Sequence, residues 1–240
     1  MTLLLLAGTG DARQIAKGLA GRDAIASLAG ATRDPAPLPI PMRVGGFGGE
    51  AGFRAFLHAN KITAVLDATH PYANRITERS ARICADLGLP FLQFLRPGWL
   101  AEPGDTWTEI AREEDAAALI PVGATVFLGT GRQTLERFAN LTGRSVICRQ
   151  IDPPNGPFPF PGGEFLIGRP PFSVADEVAL FDGLGVDWLV VKNAGGVASR
   201  TKLTAARQLG IPVLMIARPP VGDWPTVATV EDALNWVSGL

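Results

Sequence analysis

An internal repeat constrains the fold of this chain more than any other feature. Residues 6–10, Leu-Ala-Gly-Thr-Gly, recur as Phe-Leu-Gly-Thr-Gly at residues 127–131, where the glycines lie 121 positions later. A second block, which ends in Arg96-Pro97, recurs at Arg218-Pro219, and a third, which begins at Trp107, recurs at Trp224. Two unrelated halves could share the same alternation of strands and helices, but three ordered matches at nearly constant offsets indicate a duplication. The repeat predicts two domains, residues 1–121 and 122–240.

Within each half, strand-sized apolar runs alternate with helical patterns. Leu3 to Ala7 predicts a strand, a Gly-Thr-Gly turn follows, and residues 13–19 have helical spacing. The same order recurs at Ile62 to Asp67 and the helix of residues 75–87. This alternation predicts an α/β fold with two similar doubly wound parallel-sheet domains, Rossmann-like or flavodoxin-like, and a ligand cleft between them.

Composition excludes several classes of protein. A net charge of −1 over 240 residues gives no basic surface for nucleic acid, and no apolar run is long enough to span a membrane. The first leucines lack a basic region before them, so they favour a buried strand over a signal peptide. Cys84 and Cys148 both fall in apolar patterns, which predicts buried thiols rather than metal ligands. We therefore expect a cytoplasmic protein without a metal.

The most informative loop follows the strand that ends at Asp67. Parallel α/β sheets bind ligands at the carboxyl ends of their strands, so Asp67, Thr69, His70 and Tyr72 are expected at the rim of a crevice. The alternative is an ordinary strand-to-helix turn made by Pro71, in which Asp67 or Thr69 caps the helix.

The first Gly-Thr-Gly turn stands where a dinucleotide fingerprint belongs. Gly8, Thr9 and Gly10 follow a strand, but Arg13 occupies the place of the third glycine, and its guanidinium could pair with a phosphate instead. Thr32 and Arg33, after the second strand, suit the 2′-phosphate of NADP. The alternative for both Arg13 and Arg33 is an exposed surface arginine that binds no phosphate. The repeated turn before Arg132 could bind a second anion.

Cations recur at the expected rims of both halves. Lys192 ends a buried apolar run, and a charge in that position usually has a partner or a ligand. About half of the others are expected on solvated faces. The set comprises Arg96, Arg132, Arg169, Lys192, Arg200, Lys202 and Arg218.

Taken together, the motifs resemble the precorrin-6A reductases of cobalamin biosynthesis. The resemblance runs from the first strand to Arg218-Pro219, and Ala194 departs from it where the family more often has Ser. The motifs begin at Gly8, Gly45, Asp67, Arg96, Lys192 and Lys202, and read GTG with Arg13, GGFGG, DATHPYA, RPGW, KNAGG and KLTAAR.

The resemblance implies an oxidoreductase that reduces one carbon–carbon double bond of a tetrapyrrole with NADPH. Transient contacts with neighbouring pathway enzymes are also expected. Acetate and propionate groups of the substrate call for scattered cations, and an apolar floor would come from Phe47, Trp99 and Phe172. We assign the cofactor to Gly8, Thr9, Gly10, Arg13, Thr32, Arg33, Gly46 and Thr69. The substrate is assigned to Arg96, Arg132, Lys192, Asn193, Gly195, Gly196, Arg200 and Lys202.

Catalysis is assigned to His70, Tyr72 and Asp67. Hydride delivery to one carbon needs a proton at its neighbour, and an imidazole donates at neutral pH more readily than a phenol. Solvent or a substrate carboxylate could also supply that proton, and His70 could instead brace its turn.

Three alternatives to this function remain at the level of sequence. One is a cofactor-free lyase or isomerase resembling uroporphyrinogen-III synthase, and another is a reductase whose substrate contains cobalt. The third is a solute-binding protein, which the lack of an export signal disfavours.

Overall fold

The computed structural model describes residues 1–30, 33 and 35–240, which form two compact units. The first unit comprises Met1–Pro97 and Pro219–Leu240. Its strands are β1 (Thr2–Leu6), β2 (Ala24–Leu28), β3 (Met42–Val44), β4 (Ile62–Asp67), β5 (Phe91–Phe94) and β12 (Thr226–Val227). Its helices are α1 (Gly10–Gly18), α2 (Gly49–Ala59), α3 (Asn74–Leu87) and α6 (Val230–Ser238).

All strand pairs of this first sheet are parallel, in the order β12-β5-β4-β1-β2-β3. The central strand β1 is apolar throughout its buried part because helices cover both faces of the sheet. Leu3 and Leu5 belong to the core with α1 and α6, whereas Leu4 and Leu6 belong to the core with α2 and α3. The alternation of side chains along a strand thus divides one leucine run between two cores.

The second unit is the continuous segment Gly98–Arg218. Its strands are β6 (Trp107–Ile110), β7 (Thr125–Leu128), β8 (Ser145–Gln150), β9 (Gly163–Ile167), β10 (Trp188–Lys192) and β11 (Val213–Ile216). They pair in parallel in the order β6-β11-β10-β7-β8-β9. Its α-helices are α4 (Val174–Gly183) and α5 (Thr201–Leu209), and its 3₁₀ helices are Glu113–Ala118 and Arg132–Phe138.

The two doubly wound parallel sheets confirm the predicted fold class, and their strand orders match under the repeat. The domain boundary predicted at residue 121 is wrong, however. Strand β6, from the first half of the sequence, pairs with β11 in the second sheet, and β12, from the second half, pairs with β5 in the first. A repeat shows which residues are alike, but it does not show which of two equivalent sheets an edge strand joins.

Two further differences from the sequence prediction are local. The helical pattern after residue 112 forms a 3₁₀ helix, and the helix after the second Gly-Thr-Gly is also 3₁₀, with non-helical dihedral angles at Thr134. Strands β3 and β9 were not predicted because each follows a proline-rich segment. In the described part of the chain, no helix combines the length and apolar character that a membrane span requires.

Candidate active site

The glycine turn of the first unit joins two distant motifs through Thr9. Gly8 has a φ of +132°, a backbone conformation that favours glycine. Thr9 is the N-cap of α1: its hydroxyl accepts a hydrogen bond from the Ala12 amide at 3.0 Å and donates one to the Ala68 carbonyl at 2.9 Å. The turn after β1 is therefore fastened to the loop after the neighbouring strand β4.

The charged side chains beside this turn have hydrogen-bond partners. Asp11, in the first turn of α1, accepts a hydrogen bond from Arg96 at 2.5 Å, and this arginine follows β5. Arg96, which the sequence assigns to substrate, thus lies beside the predicted cofactor turn. Arg13 donates to the carbonyls of Ala36 and Pro37, at 3.5 and 3.3 Å.

The second glycine-rich loop, after β3, is fixed by Arg43. This guanidinium donates to the Ser27 hydroxyl at 2.7 Å and to the carbonyls of Gly45 and Gly46, at 2.9 and 3.0 Å. It also lies 4.4 Å from the centroid of the Phe47 ring. Gly46 lies in the braced loop, Arg33 is exposed, and Thr32 falls outside the described residues.

The loop after β4 separates Asp67 from the side chains that follow it. Asp67 is fully buried, and its Oδ1 accepts the Thr69 amide at 2.9 Å, so its expected position at the rim is wrong. Along β4 it shares a face with Val65, and this face packs toward α3. Burial raises the pKa of this carboxyl despite the hydrogen bond from Thr69.

His70 is exposed and Tyr72 is half-buried, with ring centroids 5.6 Å apart. The backbone amide of Tyr72 donates to Nδ1 of His70 at 3.3 Å. An Nδ1 that accepts carries no proton, so the neutral imidazole holds its proton on Nε2. In this neutral form the ring offers Nε2–H as a hydrogen-bond donor, and it becomes a proton donor only after it takes up a second proton.

The predicted cations of the second unit fall into separate environments. Lys192 donates to the Thr134 hydroxyl at 3.0 Å and lies 3.6 Å from the carboxylate of Glu113. Burial lowers the pKa of Lys192, and Glu113 partly offsets this effect. Arg200 pairs with Glu102 at 2.5 Å, and Arg132 is exposed at the start of its 3₁₀ helix. Lys192 and Arg200 thus lie beside different carboxylates.

Asn193 holds the segment that begins the second unit. Its side chain accepts from the Trp99 amide at 2.7 Å and donates to the Trp99 carbonyl at 3.1 Å, in the manner of a strand partner. The Trp99 indole donates to the Gly196 carbonyl at 2.8 Å, next to Gly195. Both glycines have positive φ angles. Two predicted substrate residues, Asn193 and Gly196, thus have contacts within the unit that position Trp99.

Sequence reasoning missed one buried group in the second unit. Arg149 and Glu177 form a bidentate ion pair, with N–O distances of 2.7 and 2.8 Å, and this pair lies near Lys202. Arg149 stands at the end of an apolar strand run, the same signal that identified Lys192. Glu177 lies in the first turn of α4 and has no such signal.

The fold and the glycine turn define the class of protein. In the first unit, β1 lies between β4 and β2, which is the strand order of the dinucleotide-binding Rossmann fold, and the turn lies at the switch point. Residues 2–238 match the family described as precorrin-6x reductase CbiJ/CobK. The chain belongs to this reductase family.

Individual relatives agree with the family match. The chain is 45% identical to the precorrin-6A reductase of Rhodococcus erythropolis, and the alignment covers 99% of this chain and 98% of the relative. It is 26% identical to the cobalt-precorrin-6A reductase of Priestia megaterium, with 97% and 96% covered. A solved structure of CobK precorrin-6A reductase superposes with a TM-score of 0.94 at 39% identity, covering 100% of this chain and 97% of that one.

Proposed function

We propose that this chain catalyses the NADPH-dependent reduction of one carbon–carbon double bond of precorrin-6A. The product is the dihydro compound precorrin-6B, an intermediate of cobalamin biosynthesis. The observation that carries the proposal is the glycine turn at the switch point of a Rossmann-ordered sheet, in a chain that belongs to a reductase family. That family match favours a reductase over a cofactor-free lyase.

The first unit offers a surface that fits a dinucleotide. A Cβ atom added at Gly8, Gly10 or Gly46 would meet no atom within 4 Å, so the backbone there borders open space. The N-terminus of α1 points its amides toward this space and favours a phosphate. The cofactor supplies a hydride when it is bound. Arg13, Thr32 and Arg33 hold phosphates in this proposal, and Thr69 approaches from the neighbouring loop.

The loop after β4 supplies the proton of the reaction in this proposal. Reduction of the double bond adds one hydride and one proton, and either His70, after its ring has taken up a second proton, or the Tyr72 hydroxyl delivers the proton. Asp67 acts as a positioning residue, because its buried carboxyl holds the Thr69 amide and has no exposed surface.

The second unit binds the substrate in this proposal. Its cations, among them Arg132, Lys192 and Lys202, offset the acetate and propionate groups of the macrocycle. The metal-free substrate is favoured, because identity is higher with the relative named precorrin-6A reductase than with the one named for the cobalt compound.

Titration with NADPH and NADH, followed by their oxidation with precorrin-6A under anaerobic conditions, tests the proposal. We expect NADPH to bind more tightly and to be oxidised only when the tetrapyrrole is present. Cobalt-precorrin-6A in the same assay is expected to give a lower kcat/KM. Failure to bind either cofactor would refute the proposal.

Cofactor preference is tested by Arg33→Ala. This change should narrow the ratio of kcat/KM between NADPH and NADH, because a charge-assisted bond to the 2′-phosphate contributes about 1.5–3 kcal/mol. Arg22→Ala, which removes an exposed arginine bonded to Ser238, serves as the control. An unchanged ratio would remove Arg33 from the 2′-phosphate site, and Arg13→Ala would be the next variant.

A further inference from the structure

A small pocket lies wholly within the second unit. It opens where β7, β8 and β9 end and where α5 begins, with Gly129, Gln150 and Gly168 around its sides. Phe172, Arg149 and Lys202 also line it. A Cβ at residue 129 would lie 3.3 Å from Cδ of Lys202, so the glycine admits the lysine stem. In the second Gly-Thr-Gly turn, Gly129 therefore allows the Lys202 side chain to approach closely, and the element directly after the turn is a 3₁₀ helix.

Gln150 is the strongest sign that this pocket takes a ligand. The residue is 6% exposed, and neither its amide nitrogen nor its amide oxygen has a hydrogen-bond partner. A buried amide without partners costs about 1–3 kcal/mol. Ordered water or a ligand ordinarily offsets such a cost, and Gln150 is one of the residues that line this pocket.

The charges of the pocket leave one positive group for that molecule. Arg149 is held by Glu177 through two hydrogen bonds, and the pair is neutral as a unit. The Arg149 guanidinium also lies 4.2 Å from the centroid of the Phe172 ring, which fixes its position. Lys202 donates to the Ser199 carbonyl at 2.7 Å and has two further ammonium hydrogens to donate. The lining therefore carries a net charge of about +1, which matches one carboxylate.

The size of the pocket restricts what can enter. Its volume is about 150 Å³, which equals that of an engineered cavity known to hold benzene. A group of about six heavy atoms fits such a space, whereas a dinucleotide or a macrocycle does not. A propionate arm has five heavy atoms, and an acetate arm has four.

We propose that this pocket receives one carboxylate side arm of the tetrapyrrole substrate, with Lys202 as its cation and Gln150 as its amide donor. This inference rests on the proposed function for the identity of the substrate. The arm enters between α5 and the carboxyl ends of β7 to β9, and it supplies the acceptor that the Gln150 amide nitrogen lacks.

The protonation of Lys202 provides an additional signature. Burial, together with Arg149 on β8, lowers the pKa of Lys202 to about 8, although Glu177 on α4 partly offsets their effect. A bound carboxylate favours the ammonium form and raises this pKa. Substrate binding is therefore expected to weaken as the pH rises through about 8.

Steady-state kinetics of two variants form the first arm of the test. Lys202→Met keeps the length of the side chain and should raise the KM for precorrin-6A about ten- to a hundredfold, with kcat and NADPH affinity retained. Gln150→Leu should raise KM about three- to tenfold. Lys17→Met and Gln208→Leu, both at exposed helix positions, are the matched controls.

Thermal unfolding of the same variants separates binding from structure. Lys202→Met removes a buried charge, so its Tm should stay level or rise. A lowered Tm with an unchanged KM would make Lys202 a structural residue and overturn the proposal.

A second arm does not depend on turnover. The chain has four lysines, so ¹³C labelling of their ε-carbons gives four signals, and Lys202→Met assigns one of them. Sodium propionate should raise the pKa of Lys202, whereas propionamide and sodium chloride should leave it unchanged. The absence of any effect of propionate would refute the pocket. A propionate effect in a protein that does not reduce precorrin-6A would refute only the proposed function.

Discussion

Burial gives Asp67 a different role from the polar side chains that follow it. Its carboxyl is fully buried, one of its oxygens has no hydrogen-bond partner, and burial raises its pKa. A raised pKa in the folded state means that stability falls as the pH rises from the unfolded pKa to the folded one. The residue therefore contributes through geometry, and its ionisation opposes folding.

Asp67→Asn tests this assignment. The amide oxygen of asparagine can still accept the Thr69 amide, and asparagine carries no charge. We expect the variant to gain stability relative to the wild type between about pH 4 and pH 7, where the unfolded aspartate ionises. Urea unfolding at both pH values measures the difference. A relative gain by the wild type would show that the carboxylate is ionised and stabilised.

His70 is the exposed titratable group of the same loop. Because its Nδ1 accepts the Tyr72 amide, its neutral ring carries the proton on Nε2, and the ring must take up a second proton before it can act as a general acid. His70→Ala should slow single-turnover reduction about a hundredfold or more at saturating cofactor and substrate, with binding retained. Tyr72→Phe is the companion variant. Wild-type single-turnover rates in both variants would show that the loop only positions the reactants and donates no proton.

At the scale of the element, α1 depends on a cap that also reaches the neighbouring loop. The Thr9 hydroxyl bonds to the Ala12 amide and to the Ala68 carbonyl. Thr9→Val has a similar shape and should lower the free energy of unfolding by about 0.5–2 kcal/mol. Because the cap orients the glycine turn, NADPH affinity should fall as well. Thr9→Ser keeps the hydroxyl and should restore both quantities, and chemical denaturation with cofactor titration measures them.

The second Gly-Thr-Gly turn shows that the same three residues can precede a different type of helix. Thr130 donates to the Gly131 carbonyl at 3.4 Å rather than capping a helix, and the next element is a 3₁₀ helix. Strand β7 and the strands beside it nevertheless match their counterparts in the first unit. The turn sequence thus specifies that the chain reverses direction, while the contacts around the turn determine the type of helix after it.

At the scale of the whole molecule, the reciprocal placement of β6 and β12 makes the first unit discontinuous in sequence. Residues 219–240 provide the edge strand β12 and the helix α6, whose Ala233 and Val237 belong to the core that α1 also lines. Neither sequence half contains all the strands of one sheet.

This topology predicts how fragments behave. A fragment of residues 98–218 holds every strand of its sheet and should unfold cooperatively on heating. A fragment of residues 122–240 lacks β6 and carries β12 and α6 without their partners, so it should remain largely unfolded. Circular dichroism during thermal unfolding compares the two. Cooperative unfolding of residues 122–240 alone would contradict the assignment of β6.

The sequence by itself determined the order of elements and the doubly wound class. Strand β4 was predicted with its observed limits, Ile62–Asp67, because an apolar run and the polar, proline-containing loop after it are local signals. The motifs likewise led to the family that the full-length match identifies. These features depend on residue type and spacing along the chain.

Only the tertiary structure decided which sheet each edge strand joins, the burial of Asp67, and the pairing of Arg149 with Glu177. Equivalent strands in a duplicated chain offer the same backbone hydrogen bonds, so sequence does not choose between them. Desolvation and ion pairing depend on which elements pack together, and residues 28 positions apart in sequence meet only after the sheet and its helices have assembled.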